Sequence, residues 1–274
     1  MLYLAVTDIP QDICGTVLKL KCQNVTPYTR FSTVDPNLFN STKNSSVTWA
    51  EILSEKVIFT LRKEDMNRIP DIKKSIDFID TLIIYMCDFM NTDIMRPIRI
   101  VFDVDDANED NIEYYPITLE MEEIHRILCD QDEPSCELFD LIKKIANYSI
   151  TDGYFDEQVE KAMAALIACE VFRRVYKDFD PYKASFFENP PIFQELWKIH
   201  TLINSNIVPE ILKMANNVST GTTEVPEDKW VDFLSKLCSI GNANFTKMFE
   251  KIRPVPINLN IEVSNLPIPE EIST

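Results

Sequence analysis

Glycine is scarce in this chain. Its 274 residues include four glycines, although only glycine takes positive φ angles freely in tight turns. Phosphate-cradling loops, nucleotide-binding α/β folds and nucleophile elbows all depend on such turns. The scarcity therefore argues against these folds and favours a chain built largely from helices.

Histidine is also scarce, with His125 and His200 as its two occurrences. So few histidines restrict the scope for His-based general acid–base chemistry. His200 lies in the apolar stretch IFQELWKIH and is interpreted as a packing residue. No Ser, Cys or Thr stands in a recognisable nucleophile motif. The sequence therefore predicts no catalytic residues and no enzyme activity. An enzyme whose site matches no familiar motif is a further hypothesis, beside the two given below.

Basic side chains are few in relation to acidic ones. The chain has 27 Lys and Arg against 44 Asp and Glu, for a net charge of -17. Residues 101–140 hold fourteen acidic side chains and one basic one, Arg126. Such a surface repels phosphate backbones and anionic membranes, so we predict neither a nucleic-acid nor a membrane partner. The acidic stretch at 103–113 is interpreted as a solvated loop, with attraction of a basic protein as the alternative.

Neither a secretory signal nor a bilayer-spanning segment is recognisable. The first fifteen residues lack a basic n-region and reach Asp8 early, and no uncharged apolar run is long enough to span a bilayer. Seven cysteines without framework spacing are typical of free thiols in a reducing compartment. We therefore expect a cytoplasmic and/or nuclear protein that is not secreted, and interpret its Asn-X-Ser/Thr sequons as chance occurrences.

Three possible metal ligands, His125, Cys129 and Cys136, lie close together in the sequence. Residues four apart share a helical face, and Cys136 could approach from the next helix. Zinc normally takes four ligands, or three and a water molecule. A fourth ligand is not apparent and no C-x-x-C occurs, so the sequence predicts no metal and no other cofactor.

Hydrophobic periodicity predicts strands early in the chain and helices later. The expected strands are 3–8, 16–22 and 98–104, and residues 56–61 form an apolar run. The clearest helix spans 71–90, where apolar residues recur every three or four positions. A short helix is predicted at 47–55, and an edge strand or extended arm in the Pro-containing tail from 253. Further helices are predicted at 120–129, 136–148, 154–178, 191–204, 208–216, 227–238 and 243–252.

The segment LFDLIKKIANYSITDGYFDEQVEKAMAALI (138–167) carries a resemblance to a known family. It has a leucine-rich helix, an Ala-Asn-Tyr turn at 146–148, then Gly153 and a helix of Ala and aliphatic residues. In this it resembles the S-phase-kinase-associated adaptor family, the BTB/POZ-like subunit of cullin–F-box ubiquitin ligases. Weaker matches at 45–55 and 68–90 precede it in the same order. The Asp-Gly turn and the C-terminal Trp-Cys helix of that family have no counterpart here.

The resemblance implies an α+β, predominantly helical fold. Residues 1–179 would form a BTB/POZ-like core, a small sheet flanked by helices, and residues 180–274 a helical extension with an extended tail. The implied function is a non-enzymatic adaptor that bridges a cullin-type scaffold and an F-box-type helical partner. The alternative is a mostly helical structural or assembly protein, for example of a virus.

The same resemblance implies two sets of partner-binding residues. The scaffold contact carries over to Asn147 and Tyr148, since a tyrosine at a helix end offers a large apolar area and a hydroxyl group. The F-box side would be lined by apolar residues of the helices that follow, namely Met163, Leu166, Ile167, Phe172, Val175 and Tyr176.

Overall fold

The structure, a computed structural model, describes residues 28–94, 96–103, 116–150, 153–218 and 228–269. It is 54% helical and contains a five-stranded sheet. This confirms the predicted α+β class with mostly helical content. The strands predicted at 3–8 and 16–22, and most of the acidic stretch at 103–113, lie outside the described residues.

The sheet has the strand order β1-β2-β3-β4-β5. The β2–β3 pair is antiparallel, and the other three neighbouring pairs are parallel. One face is apolar and buried, because alternate residues such as Ile52, Phe59 and Ile100 point into the core. The strands are Thr29–Ser32 (β1), Trp49–Leu53 (β2), Val57–Arg62 (β3), Ile98–Asp103 (β4) and Ile117–Glu120 (β5).

The helix predicted at 47–55 is wrong, because these residues contain strand β2. Helix-forming residues such as Ala50 and Glu51 are held extended by pairing with β1 on one side and β3 on the other. The turn between β2 and β3 is closed by Ser54, whose Oγ accepts a hydrogen bond from the Val57 backbone N–H at 3.0 Å. Tertiary pairing has thus overridden local propensity.

Helix α3 (Ile72–Met90) confirms the helix predicted at 71–90. Asp71 caps its start by accepting a hydrogen bond from the Lys74 backbone N–H at 2.9 Å. It ends at Asn91, whose φ of 50° is left-handed. The apolar stripe of the helix is buried, as the spacing predicts.

The helices that follow β5 come in the predicted order, but the short helices Pro36–Thr42 and Lys63–Met66 were not predicted. Helix α6 contacts α3, α5 and α7, and this position explains why it is apolar on nearly every side. A 3₁₀ turn at Met121–Glu123 precedes α4, and a π-helical turn at Ile199–Ile203 extends α7. The bounds are Pro36–Thr42 (α1), Lys63–Met66 (α2), Ile124–Leu128 (α4), Cys136–Ser149 (α5), Glu157–Val175 (α6), Pro191–Lys198 (α7), Ile207–Val218 (α8), Lys229–Gly241 (α9), Thr246–Phe249 (α10) and Ile257–Glu262 (α11).

The tail is not the edge strand or extended arm that its alternating pattern predicts, because it contains α11. Residues two apart share one face of a strand but lie on opposite sides of a helix, where residues four apart share a face. Leu259 and Val263, four apart, are buried, whereas Ile257 and Ile261 are 78% and 68% exposed. The four alternating residues therefore divide between a buried and an exposed face of the helix. None of the described helices has the length and apolarity needed to cross a membrane.

Candidate functional site

The two edges of the sheet are covered differently. Helix α1 packs along β1, where the Thr42 hydroxyl accepts a hydrogen bond from the Arg30 backbone N–H at 2.9 Å. Strand β5 has a neighbouring strand on one side only within the described ranges. Its Thr118 is half-buried and its Glu120 exposed. An edge of this kind can accept an extended polypeptide as a further strand.

Helix α5 places a lysine beside this edge. Lys144 Nζ lies 3.4 Å from the Thr118 backbone oxygen, to which it donates a hydrogen bond. Burial raises the pKa of nearby Glu123, while the Glu120 backbone N–H and the positive charge of Lys144 act in the opposite direction. The ammonium group therefore connects α5 to the end of β5 and to the acidic turn that follows it.

Asn147 and Tyr148 lie in the last turn of α5. Tyr148 is 47% exposed and Asn147 is half-buried. Because residues four apart share a helical face, Tyr148 lies on the side of α5 that carries Lys144. The structure thus brings Tyr148, Lys144 and the β5 edge together. Sequence analysis selected the tyrosine but missed the lysine, since nothing local marks Lys144 as a neighbour of Thr118.

The six residues predicted for the F-box side do not form an accessible groove. Met163, Leu166, Ile167 and Phe172 are fully buried in α6, which is enclosed by α3, α5 and α7. Val175 and Tyr176 are half-buried at its C-terminal end. The Tyr176 hydroxyl donates to the Gln131 backbone oxygen at 3.0 Å, and desolvation raises its pKa to about 12. These side chains hold the core together.

The turn between α5 and α6 is fixed by residues from the C-terminal helices. Gly153 has a φ of 70°, and the Tyr154 side chain that follows is 1% exposed. Lys236 Nζ bonds to the Tyr154 hydroxyl and lies 2.6 Å from Asp232 Oδ2. In the same way Arg253 bonds to Asp156, the residue that caps α6. The sequence gives no local signal for these contacts, since 82 residues separate Tyr154 from Lys236.

A charged cluster is buried at the other end of α6. Glu170 is 6% exposed and has three cationic or potentially cationic neighbours. Arg173 Nη2 lies 2.7 Å from its Oε2, and Arg174 Nε lies 3.2 Å from its Oε1. His200 Nε2 is 3.3 Å from Oε2.

The neighbours of Glu170 decide its ionisation. Burial by itself raises the pKa of Glu170, but the hydrogen bond with His200 and the charges of Arg173 and Arg174 outweigh it, so the net pKa is lowered. His200 is 3% exposed, and its Nδ1 is buried with no hydrogen-bond partner in the part of the chain that the structure describes. Glu170 is therefore an ionised, arginine-neutralised carboxylate.

A surface depression of about 540 Å³ lies at the start of β2 and the end of β3. Trp49, Arg62 and Lys63 line it together with several hydroxyl groups. Lys63 Nζ donates to the Ser45 backbone oxygen at 2.7 Å, and Arg62 lies 3.6 Å from Glu64. Its two cations are thus engaged with neighbouring groups, and its lining includes no histidine or cysteine.

No group of three His, Cys, Asp or Glu side chains within the described ranges is arranged to hold a metal ion. His125 is exposed on α4, and Cys129 is the C-cap of that helix. Desolvation raises the thiol pKa of both Cys129 and Cys136, which favours the neutral form. These three residues therefore do not form a ligand set.

Comparison with solved structures identifies the fold. A metallopeptidase from Bacteroides thetaiotaomicron superposes with a TM-score of 0.63 at 11% identity, covering 92% of this chain and 53% of its own. This chain therefore shares its fold with solved metallopeptidase structures. The M60 catalytic domain of Clostridium perfringens ZmpC, in complex with the sialyl T antigen, gives a TM-score of 0.59 at 11% identity, covering 89% of this chain and 56% of its own.

A conserved Bacillus anthracis protein of unknown function also shares the fold of this chain. Its TM-score is 0.69 at 14% identity, covering 90% of this chain and 59% of its own. This chain thus spans less than two thirds of each of these structures. No protein-family model and no curated protein matches it.

These neighbours overturn the adaptor interpretation. They are metallopeptidase domains and conserved proteins of unknown function, not adaptors of the BTB/POZ type. The cullin-type scaffold, the F-box-type partner and the role in a ubiquitin ligase are therefore wrong. The leucine-rich pattern of 138–167 suggested the wrong family, because it reflects the packing of α5 against α6. Any two packed amphipathic helices produce a pattern of this kind.

The same comparison contradicts the prediction that the chain is not an enzyme, because metallopeptidases are among the solved structures that share its fold. The alternative of a structural or assembly protein is not favoured either. The boundary between residues 179 and 180 and the cytoplasmic or nuclear location stay predictions.

Proposed function

We propose that this chain is a metallopeptidase-type domain that binds polypeptide segments, including those of glycoproteins, along the edge of β5 that has no neighbouring strand among the described residues. The observation that carries the proposal is the likeness to metallopeptidase structures over about nine tenths of the chain. The bound sialyl T antigen of the ZmpC domain supports the extension to glycoproteins.

The geometry of β5 supports an extended binding mode. Helix α1 covers the β1 edge, so β5 is the edge that offers backbone groups within the described ranges. Strand addition derives its affinity from main-chain hydrogen bonds and its specificity from flanking side chains. Here the flanking groups are the Lys144 ammonium, which attracts carboxylates, and the Tyr148 ring, which packs on apolar or sugar surfaces.

The proposal concerns binding and positioning of the polypeptide. Zinc peptidases of the H-E-x-x-H class hold the metal with two histidines four residues apart and use the glutamate as general base. This sequence contains no such motif, since its two histidines are His125 and His200. We therefore derive no hydrolytic step from the described residues.

Hydrogen–deuterium exchange tests the binding mode. The chain is incubated with a peptide that carries the sialyl T antigen and, separately, with the same peptide without the glycan. We expect slower exchange in Ile117–Glu120 and no change in Thr29–Ser32, the covered edge that serves as an internal control. Mass spectrometry of the peptide reports cleavage in the same samples. Unchanged exchange in β5 with both peptides, together with intact peptide, would refute the proposal.

A further inference from the structure

Metallopeptidases are among the structures that share this fold, and zinc is the metal that peptidases commonly hold. A catalytic zinc takes three protein ligands, usually histidines together with a carboxylate or cysteine, and leaves a fourth position for water. Because they are 75 positions apart, His125 and His200 cannot supply an i, i+4 pair. A zinc site would therefore need ligands that the tertiary structure gathers around each histidine.

His125 does not offer such a site. It is exposed on α4, and Cys129, one turn later, is the potential donor on the same face. No third donor joins them among the residues for which the structure gives positions. Two ligands on a short, solvent-facing helix do not retain zinc, because water completes the coordination shell and competes for the ion.

At His200 two possible zinc ligands do lie close together, because the buried imidazole is next to a carboxylate. The partner carboxylate, Glu170, is already contacted by Arg173 on one oxygen and by Arg174 on the other. Two fixed positive charges within 3.2 Å of the carboxylate repel a divalent cation and occupy the lone pairs that it would use. The aromatic rings of Phe89 and Trp197 also pack on the imidazole, with centroids 5.4 and 5.7 Å away.

The β5 edge also has a cation beside it, together with the carboxylates of Glu120 and Glu123. On α5, Lys144 faces the β5 edge and Lys143 is paired with Asp140 at 2.6 Å. A metal at this edge would be repelled by the ammonium group, and no third donor joins Glu120 and Glu123 among the described residues. At both the Glu170–His200 cluster and the β5 edge, protein cations therefore stand beside the polar groups.

We infer that this chain is a metal-free form of the metallopeptidase-type fold, in which arginine and lysine side chains stand beside the polar groups that a zinc ion would need. The inference rests on the proposed function for the expectation of zinc, but the donor chemistry that contradicts zinc is independent of any substrate. Polypeptide binding at β5 then proceeds without a metal.

Metal analysis tests this inference. The full chain is expressed in zinc-supplemented medium, purified without chelator and dialysed against metal-free buffer, and its zinc content is measured by mass spectrometry. We expect less than about one tenth of an ion per chain, and an unfolding midpoint that neither added zinc nor EDTA shifts. About one zinc per chain after dialysis would overturn the inference. In that event H125A and H200A, measured beside the wild type, would show which histidine holds the ion.

The exchange experiment with the sialyl T peptide separates this result from the proposed function. If β5 is protected equally with and without EDTA, metal-free binding is supported. If protection is lost in EDTA and restored by zinc, the inference fails while the proposed function stands. If β5 is never protected but the chain contains no zinc, the proposed function fails and the metal-free inference stands.

Discussion

Replacement of Glu170 by glutamine removes the negative charge from the buried cluster while keeping the shape of the side chain. Loss of one partner from a buried ion pair costs about 3–5 kcal/mol when the other charge stays buried. Here the side chains of Arg173 and Arg174 are 45% and 34% exposed, so both guanidinium groups can regain water after the substitution. We therefore expect E170Q to lower the free energy of unfolding by about 2 kcal/mol.

The assay is thermal and urea unfolding followed by circular dichroism. For a chain of this size, about 2 kcal/mol corresponds to a decrease in Tm of about 4–8 °C. The matched control is Asp77→Asn, which removes a carboxylate that is 52% exposed and paired with exposed Lys73 within α3. That substitution should leave the Tm nearly unchanged, because exposed ion pairs contribute little.

The pH dependence gives a second, independent check on Glu170. Its pKa is lowered in the folded chain, so the stability that its charge provides is fully present above the ordinary Glu pKa of about 4.3. This contribution is lost as the pH falls through the lowered folded value. The difference between wild type and E170Q should thus be largest near neutral pH and shrink in acid. A difference that is absent at pH 7, or that grows on acidification, would refute the arrangement.

Two further substitutions test contacts that join distant parts of the chain. Tyr154→Phe removes the hydroxyl that bonds to Lys236. Because one hydrogen bond is lost, the free energy of unfolding measured in urea titrations should fall by about 1 kcal/mol. An unchanged urea midpoint would contradict that contact. Tyr176→Phe removes a phenol whose pKa is raised to about 12. Since the unfolded phenol ionises near pH 10, the wild type should lose stability as the pH rises above that value. The variant should lose less, and equal alkaline slopes in unfolding experiments would count against the buried position of Tyr176.

Local sequence signals predicted the elements whose stability is mainly local. Helix α3 has its cap at Asp71 and an apolar stripe at helical spacing, and it was predicted to within one residue. The α5 helix was found in the same way, beginning at Cys136 as expected. Both predictions succeed because a helical hydrophobic period and a capping side chain can be recognised within one short stretch of sequence.

Elements that depend on distant partners were predicted less well. The segment around Glu51 contains good helix formers but is a strand, because β1 and β3 supply backbone partners on both sides. The tail around Leu259 has strand-like alternation but is helical. In each case the deciding contacts come from residues that no local window includes.

The candidate site shows the same division. Tyr148 was selected from the sequence as an outward-facing residue at a helix end, and it is indeed exposed. Its proposed partners were wrong, because the resemblance that supplied them rested on a packing pattern. The neighbours that define the site, Lys144 and the β5 edge, come together only when α5 folds back beside the sheet.

The amino-acid sequence by itself determined the helical character of the chain, its acidic charge and the absence of paired histidines, because these follow from residue identity and short-range spacing. Tertiary structure alone decided that β5 has a free edge among the described residues, that Glu170 lies between two arginines and a histidine, and that the fold is shared with solved metallopeptidase structures. The physical reason is that strand pairing, burial and charge neutralisation depend on contacts between segments far apart in the chain. Such contacts leave no periodic trace in the sequence.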